Sequence, residues 1–225
     1  MKSLRYTLAL LLSVSLLLGC AGAEKRDVPP AEALFNQAKN AVEHENFDEA
    51  DEFIMMMREE YPFSPLAIEA ELLSADVLYL RENFAESAAS YRAFEENHPS
   101  HAKVPYAIYK RGLSYYGQLE TEDRDQTPAK TMVELLKRLV SAYPSSEYVV
   151  DAQAKIAEGK ELLAGHELYV ARFYLRKEEY KAALGRVMNV LKEFHDSKAA
   201  AEASRMADEI RAIMKDKGIP ETNPQ

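Results

Sequence analysis

The chain repeats itself at a spacing of 37 residues. Asn46-Phe47-Asp48-Glu49-Ala50 leads to Tyr61-Pro62, and 37 positions later Asn83-Phe84-Ala85-Glu86-Ser87-Ala88 leads to His98-Pro99. Ala129 to Pro144 and Tyr180 to His195 keep the same interval between first and last residue. A fixed period of this length describes a supersecondary unit whose apolar face is covered only when units stack. Stacked units expose extended surfaces, so the pattern points to a protein that binds rather than one that catalyses.

From Ala31 onward the chain reads as consecutive helices. Glycine is scarce, at 8 residues, no alternating β-branched run occurs, and apolar residues recur at three and four. The first pair is expected over 31–44 and 47–60, the second over 64–81 and 84–97, and the third over 102–119 and 128–142. Pro62 and Pro99 fall just past second helices, where a fixed φ and a missing N–H stop a helix. Ser64-Pro65 supplies a cap and a first-turn proline for the next helix.

Pro144 lies 45 residues after Pro99, which places eight extra residues between the paired helices, in Glu120–Thr127. This acidic stretch lacks the glycine and ligand spacing of a calcium loop and reads as a solvated loop. Residues 146–177 carry helical character without proline, enough for a helix of about 32 residues and about 48 Å. Gly159 and Gly165 are points at which it could bend or divide, so one helix and two both remain open. Residues 180–194 then pack back, and 198–215 close the array.

Ala38, Ala75 and Gly112 recur at the same spacing, with Ala171 in the last unit. Phe47, Phe84 and Tyr180 open second helices, and Ala50, Ser87 and Ala183 follow three residues later. This pattern resembles the tetratricopeptide repeat. It implies an all-α, tetratricopeptide-like helical-repeat solenoid of about four to five helix pairs, with a long helix joining N- and C-terminal halves.

The N-terminus supplies an address. Lys2 and Arg5 precede an apolar run from Tyr6 to Leu18, about 13 residues, in the range of a signal-peptide core and short of the roughly 20 of a membrane span. The run ends in Leu17-Leu18-Gly19-Cys20, which resembles the lipobox of bacterial lipoproteins. That resemblance implies cleavage before Cys20 and a diacylglyceryl group and an N-acyl chain on it. Cys20 is the only cysteine, which suits acylation and leaves no disulfide within one chain. Ala21, by the same resemblance, favours the outer membrane. Loss of Lys2 and Arg5 makes the formal charge of −9 two units more negative. Such a chain is a poor partner for nucleic acid, and its membrane attachment falls to the lipid. The expected organisation is a lipoprotein signal peptide over 1–19, a flexible tether over 20–30, a repeat domain over 31–217 and a disordered tail over 218–225.

No catalytic constellation is legible, and no enzyme activity or cofactor is expected beyond the covalent lipid. No phosphate loop, G-x-S-x-G or H-E-x-x-H occurs. His98-Pro-Ser-His101 is the one close histidine pair, with no neighbouring ligand in sequence, and reads as turn capping rather than a metal site. What remains is surface. In repeats of this class the first helix of each pair lines a concave groove, and the expected groove positions include Phe35, Lys39, Tyr79, Tyr106, Tyr109, Tyr116 and Arg172. Phe35 and the four tyrosines would form an aromatic surface suited to peptide recognition. Tyr61-Pro62-Phe63 reads as a turn staple.

The order of motifs narrows the resemblance further. A lipobox, a tether, Tyr61-Pro62-Phe63, His98-Pro99-Ser100-His101, the Tyr109–Leu113 segment, Asp123–Asp125, Tyr143–Ser146 and Glu167–Leu191 follow one another. This succession, over residues 15–215, resembles the BamD family of outer-membrane assembly lipoproteins. Ala129 in place of an aromatic, His195 in place of proline and a short C-terminal end depart from it and put a complete fifth repeat in question. The resemblance implies a protein on the periplasmic face of the outer membrane. Its partners would be unfolded outer-membrane proteins, a BamA-like barrel protein and other Bam lipoproteins. It puts client binding in the N-terminal repeats and BamA docking in the C-terminal ones, where Arg186 matches a family arginine and Arg176 lies near the same turn. The alternative is another repeat lipoprotein of the envelope, a type IV pilus pilotin or a coordination factor.

Overall fold

The computed structural model describes residues 28–221, and among them nine helices and no strand. In chain order they are α1 (Ala31–Glu43), α2 (Phe47–Glu60), α3 (Pro65–Leu80), α4 (Phe84–Asn97), α5 (Val104–Tyr116), α6 (Thr127–Ala142), α7 (Val149–Arg176), α8 (Tyr180–Glu193) and α9 (Ala199–Asp216). Each packs on the next, α1 also meets α3, and α7 also meets α9. Four helix pairs therefore stack in sequence and α9 closes them, as the 37-residue period requires. The expected signal peptide over 1–19, Cys20 and the expected tether as far as Asp27 lie outside the described residues.

The period is written most clearly in the turns. Within the first, second and fourth pairs, Glu45, Glu82 and Glu178 take φ of 59°, 61° and 59°. The next amides, of Asn46, Asn83 and Glu179, donate to the carbonyls of Ala41, Leu78 and Tyr174 at 2.8, 2.9 and 2.9 Å. This is the left-handed helix stop that glycine normally supplies. Between pairs, Tyr61, His98, Tyr143 and Phe194 leave the helix with φ of −130°, −127°, −132° and −129°. Their carbonyls accept from Ser64, His101, Ser146 and Ser197 at 2.9–3.0 Å. His195 in place of proline thus leaves the fourth stop intact. Ser64 caps α3 as its sequence predicts, accepting from the Leu66 amide at 3.2 Å.

Three apolar clusters make the interior. The first joins α1–α3 around Leu34, Ile54 and Met57. The second runs from α3 to α7 around Tyr91, Phe94, Ile108, Met132 and Leu136. The third joins α7–α9 around Leu168, Val187 and Ile210. Ala38, Ala75, Gly112 and Ala171 are all buried, and a Cβ on Gly112 would lie 2.5 Å from Leu136 Cδ2. Residues 149–176 form a single helix of 28 residues, about 42 Å long at 1.5 Å per residue. Its first half covers the second cluster and its second half the third, so one rigid element joins the two halves. Neither Gly159 nor Gly165 divides it, and a Cβ at Gly159 would meet Met132 Cε at 2.4 Å, so that glycine admits α6 at close range.

The acidic loop is exposed from Glu120 to Asp125, as expected of a solvated loop, and it is also docked on the array. Buried Gln126 donates through Nε2 to the carbonyls of Thr121 and Arg124, both at 3.0 Å, and His166 Nδ1 of α7 donates to the Glu122 carbonyl at 2.6 Å. The tail expected to lack structure from Gly218 begins with a helix stop. Gly218 has φ 66°, the Ile219 amide donates to the Met214 carbonyl at 2.8 Å, and Ile219 packs on the third cluster. Glu221 then pairs with Arg211 at 3.0 Å, and residues 222–225 lie outside the described part. At the other end, Val28 packs on the first cluster, and the Tyr61 hydroxyl donates to the Pro29 carbonyl at 3.0 Å.

Candidate functional site

The four groove tyrosines gather where side chains of α3, α5 and α7 meet, and each is held by a charged partner. Asp76, one residue after the small Ala75, accepts from the hydroxyls of Tyr91 on α4 and Tyr106 on α5, the latter at 2.5 Å. Tyr109 donates to Asp151 at 2.8 Å and Tyr116 to Glu158 at 2.7 Å, both on α7. The Tyr109 ring stacks on Tyr148 with centroids 4.7 Å apart and planes at 13°, and Tyr106 approaches the same ring at 5.8 Å. Lys110 Nζ sits 3.6 Å from the centroid of Tyr79, and Lys155 Nζ lies 4.1 Å from that of Tyr116 while pairing with Glu158 at 3.1 Å. Such cation–ring contacts strengthen as water is excluded.

Burial sets the electrostatics. It holds the Asp76 carboxyl above its ordinary value, against the opposing pull of the Tyr106 and Tyr91 hydroxyls and of Lys110 and Lys103. The same burial lowers Lys110, with Asp76 opposing. Burial raises Tyr91 and Tyr106, reinforced by Asp76, and raises Tyr109, reinforced by Asp151. These phenols stay protonated donors through neutral pH. The Tyr116 hydroxyl, followed by Lys155, lowers Glu158. The surface therefore offers ring faces with pinned orientations beside alternating carboxylates and ammonium groups. That chemistry suits an extended chain with aromatic or apolar side chains and a polar backbone.

Phe35 does not join this group, since it packs on the first cluster whereas Tyr79, Tyr106, Tyr109 and Tyr116 pack on the second. Lys39 is exposed on α1. Arg172 pairs with Glu202 of α9 at 2.5 Å. In the C-terminal half, Arg176 is exposed at the end of α7, and Arg186 on α8 reaches Glu167 on α7 at 3.3 Å. The histidine pair has carboxylates that the sequence neighbourhood did not show. His98 Nε2 is 2.9 Å from Glu71 and His101 Nε2 is 3.7 Å from Glu69, both on α3. Among the described residues no group of three His, Cys, Asp or Glu side chains is placed to hold a metal ion, and no helix is long and apolar enough to cross a membrane.

Sequence reasoning missed Asp76, Tyr148, Asp151, Lys155 and Glu158. The signal for three of them was present: Asp151, Lys155 and Glu158 recur at i, i+4 and i+7 and share one face of α7.

Comparison with known proteins agrees with this architecture. The family model described as YfiO, outer membrane lipoprotein, matches residues 27–220. A Vibrio cholerae protein named outer membrane protein assembly factor BamD is 30% identical over 237 residues, covering 97% of this chain and 98% of its own. Proteins of the same name from Rickettsia prowazekii and Neisseria gonorrhoeae are 27% and 26% identical. They cover 87% and 90% of this chain, and 79% and 81% of their own. With a helical-repeat fold and a family match over nearly all of its described residues, the chain belongs to the YfiO family of outer membrane lipoproteins.

Proposed function

We propose that this protein is a lipid-anchored assembly factor for outer membrane β-barrel proteins and that it works by binding. The observation that carries this reading is the correspondence with the Vibrio cholerae assembly factor across 97% of the chain. In this reading Cys20 carries the lipid anchor on the periplasmic face. Tyr79, Tyr106, Tyr109 and Tyr116 hold an extended segment of an unfolded client, with Phe35 as an outlying contact on α1. The C-terminal half docks on the periplasmic part of a BamA-like barrel protein, alongside other Bam lipoproteins. Arg176 and Arg186 are its contacts there; Arg186, 44% exposed and oriented by Glu167, presents a guanidinium edge to a partner carboxylate. The rigid helix α7 keeps the two surfaces at a fixed separation, so a client held in one half stays close to the barrel protein held by the other.

Affinity purification from detergent-solubilised membranes tests the reading. A BamA-like barrel protein is expected to co-purify, and recovery of a pilus secretin in its place would contradict it. Cys20→Ala is expected to release the protein into the soluble periplasmic fraction; a variant that stays membrane-bound contradicts the lipid anchor.

A further inference from the structure

The turn between the first and second pairs carries an aromatic side chain that the fold does not use. Phe63 is 98% exposed, and Pro62 before it is exposed as well. An isolated apolar side chain on a surface needs no explanation by itself. This one sits on the turn that clamps the incoming chain. Tyr61, two residues earlier, is half-buried against the first cluster and donates to the Pro29 carbonyl at 3.0 Å. Val28 packs on that same cluster. Val28 is only eight positions from Cys20, a stretch that spans at most about 28 Å when fully extended. The clamp therefore ties the Tyr61–Phe63 turn to the end of a short leash, and the far end of the leash is the proposed lipid anchor.

We propose that the Tyr61-Pro62-Phe63 turn is a second membrane contact, in which the Phe63 ring enters the headgroup region of the bilayer that holds Cys20. The inference rests on the lipid-anchor reading above. A single aromatic ring could not hold an unanchored chain on a bilayer. Beside an acyl anchor, however, the encounter is intramolecular and a modest gain suffices to populate it. Phenylalanine is among the side chains that peripheral segments bury at the boundary of headgroups and acyl chains. Exposed Glu59 and Glu60 next to the turn oppose a strongly anionic surface, so the fitting surface is zwitterionic. The contact would orient the first pair of the array toward the membrane.

The chain contains no tryptophan, so a single introduced one reports its surroundings without background. The mature lipidated protein carrying Phe63→Trp is reconstituted with phosphatidylcholine vesicles bearing brominated acyl chains. The protein carrying Phe173→Trp, whose Phe173 is 45% exposed on α7 in the C-terminal half, serves as the reference. Both proteins are expected to float with the vesicles. The F63W protein should show blue-shifted emission and quenching by the brominated chains, while the F173W protein emits as in water and escapes quenching. Flotation of both with equal, water-like emission overturns the membrane contact and leaves the anchor standing. Failure to float overturns the anchor reading and this inference together.

Discussion

Replacing Asp76 by alanine should destabilise the N-terminal half far more than removal of one surface carboxylate does. Asp76 is the single acceptor joining α3 to Tyr91 on α4 and Tyr106 on α5. Tyr91 is fully buried, and each buried hydroxyl left without an acceptor costs about 1–3 kcal/mol. Tyr91 contributes the full cost and half-buried Tyr106 a smaller one, about 2–4 kcal/mol together. Relief of the carboxylate's own burial offsets part of this, so a net loss of about 1–3 kcal/mol is expected. Asp76→Asn keeps an acceptor and removes the buried charge, and should stay within about 1 kcal/mol of the native protein at neutral pH. The pH dependence has a definite sign. Because burial raises the folded-state pKa of Asp76, the folded protein takes up this proton more readily than the unfolded chain. The carboxyl therefore stabilises most fully below its unfolded value of about 3.9, and this contribution is lost as pH rises through the folded value. The native protein should gain on the D76N protein as pH falls through the acid range. Urea unfolding followed by far-ultraviolet circular dichroism measures all three proteins. An Asp76→Ala protein within about 0.5 kcal/mol of native would refute the role given to this hub.

The left-handed turns give a prediction of opposite sign: Glu178→Gly, at φ 59°, should raise stability by about 0.5–1 kcal/mol in the same unfolding assay. Glu95 is held below its ordinary pKa chiefly by the hydrogen bond from Arg138. Its contribution is present at neutral pH and disappears as pH falls below about 4.3 toward the depressed folded value. Glu95→Gln should accordingly cost about 1 kcal/mol at pH 7 and nothing in strong acid, as read from urea midpoints at the two pH values. Arg186→Glu should place two carboxylates together at Glu167 and weaken recovery of the barrel partner at least tenfold, while the circular dichroism spectrum stays native.

The repeat, its helix pairs and the small residues at their contacts were legible because each is a local pattern that returns at one spacing. The long helix was legible from the lack of proline between Ser146 and Lys177, but its continuity was not. Gly159 reads as a breaker until Met132 is seen lying against it. The doubt raised by His195 came from reading proline as the cause of the stop. The backbone of Phe194 makes that stop without it, because Phe194 packs on both the second and third clusters. Of the candidate groove, the tyrosines and the shared face of Asp151, Lys155 and Glu158 follow from helical spacing, but which tyrosine meets which partner does not. Tyr109 and Asp151 stand 42 residues apart, and only the stacking of successive helix pairs brings them together. The carboxylates beside His98 and His101 were hidden for the same reason, since Glu69 and Glu71 arrive from the preceding pair.

The central claim is that two surfaces on one rigid array hold two different proteins. Photo-reactive side chains introduced at Tyr109 and at Arg186, one per strain, test it most directly in growing cells. The account predicts that position 109 captures newly exported outer membrane proteins and that position 186 captures the barrel subunit of the assembly machinery. Capture of the same single partner from both positions, or of neither class from either, would contradict it.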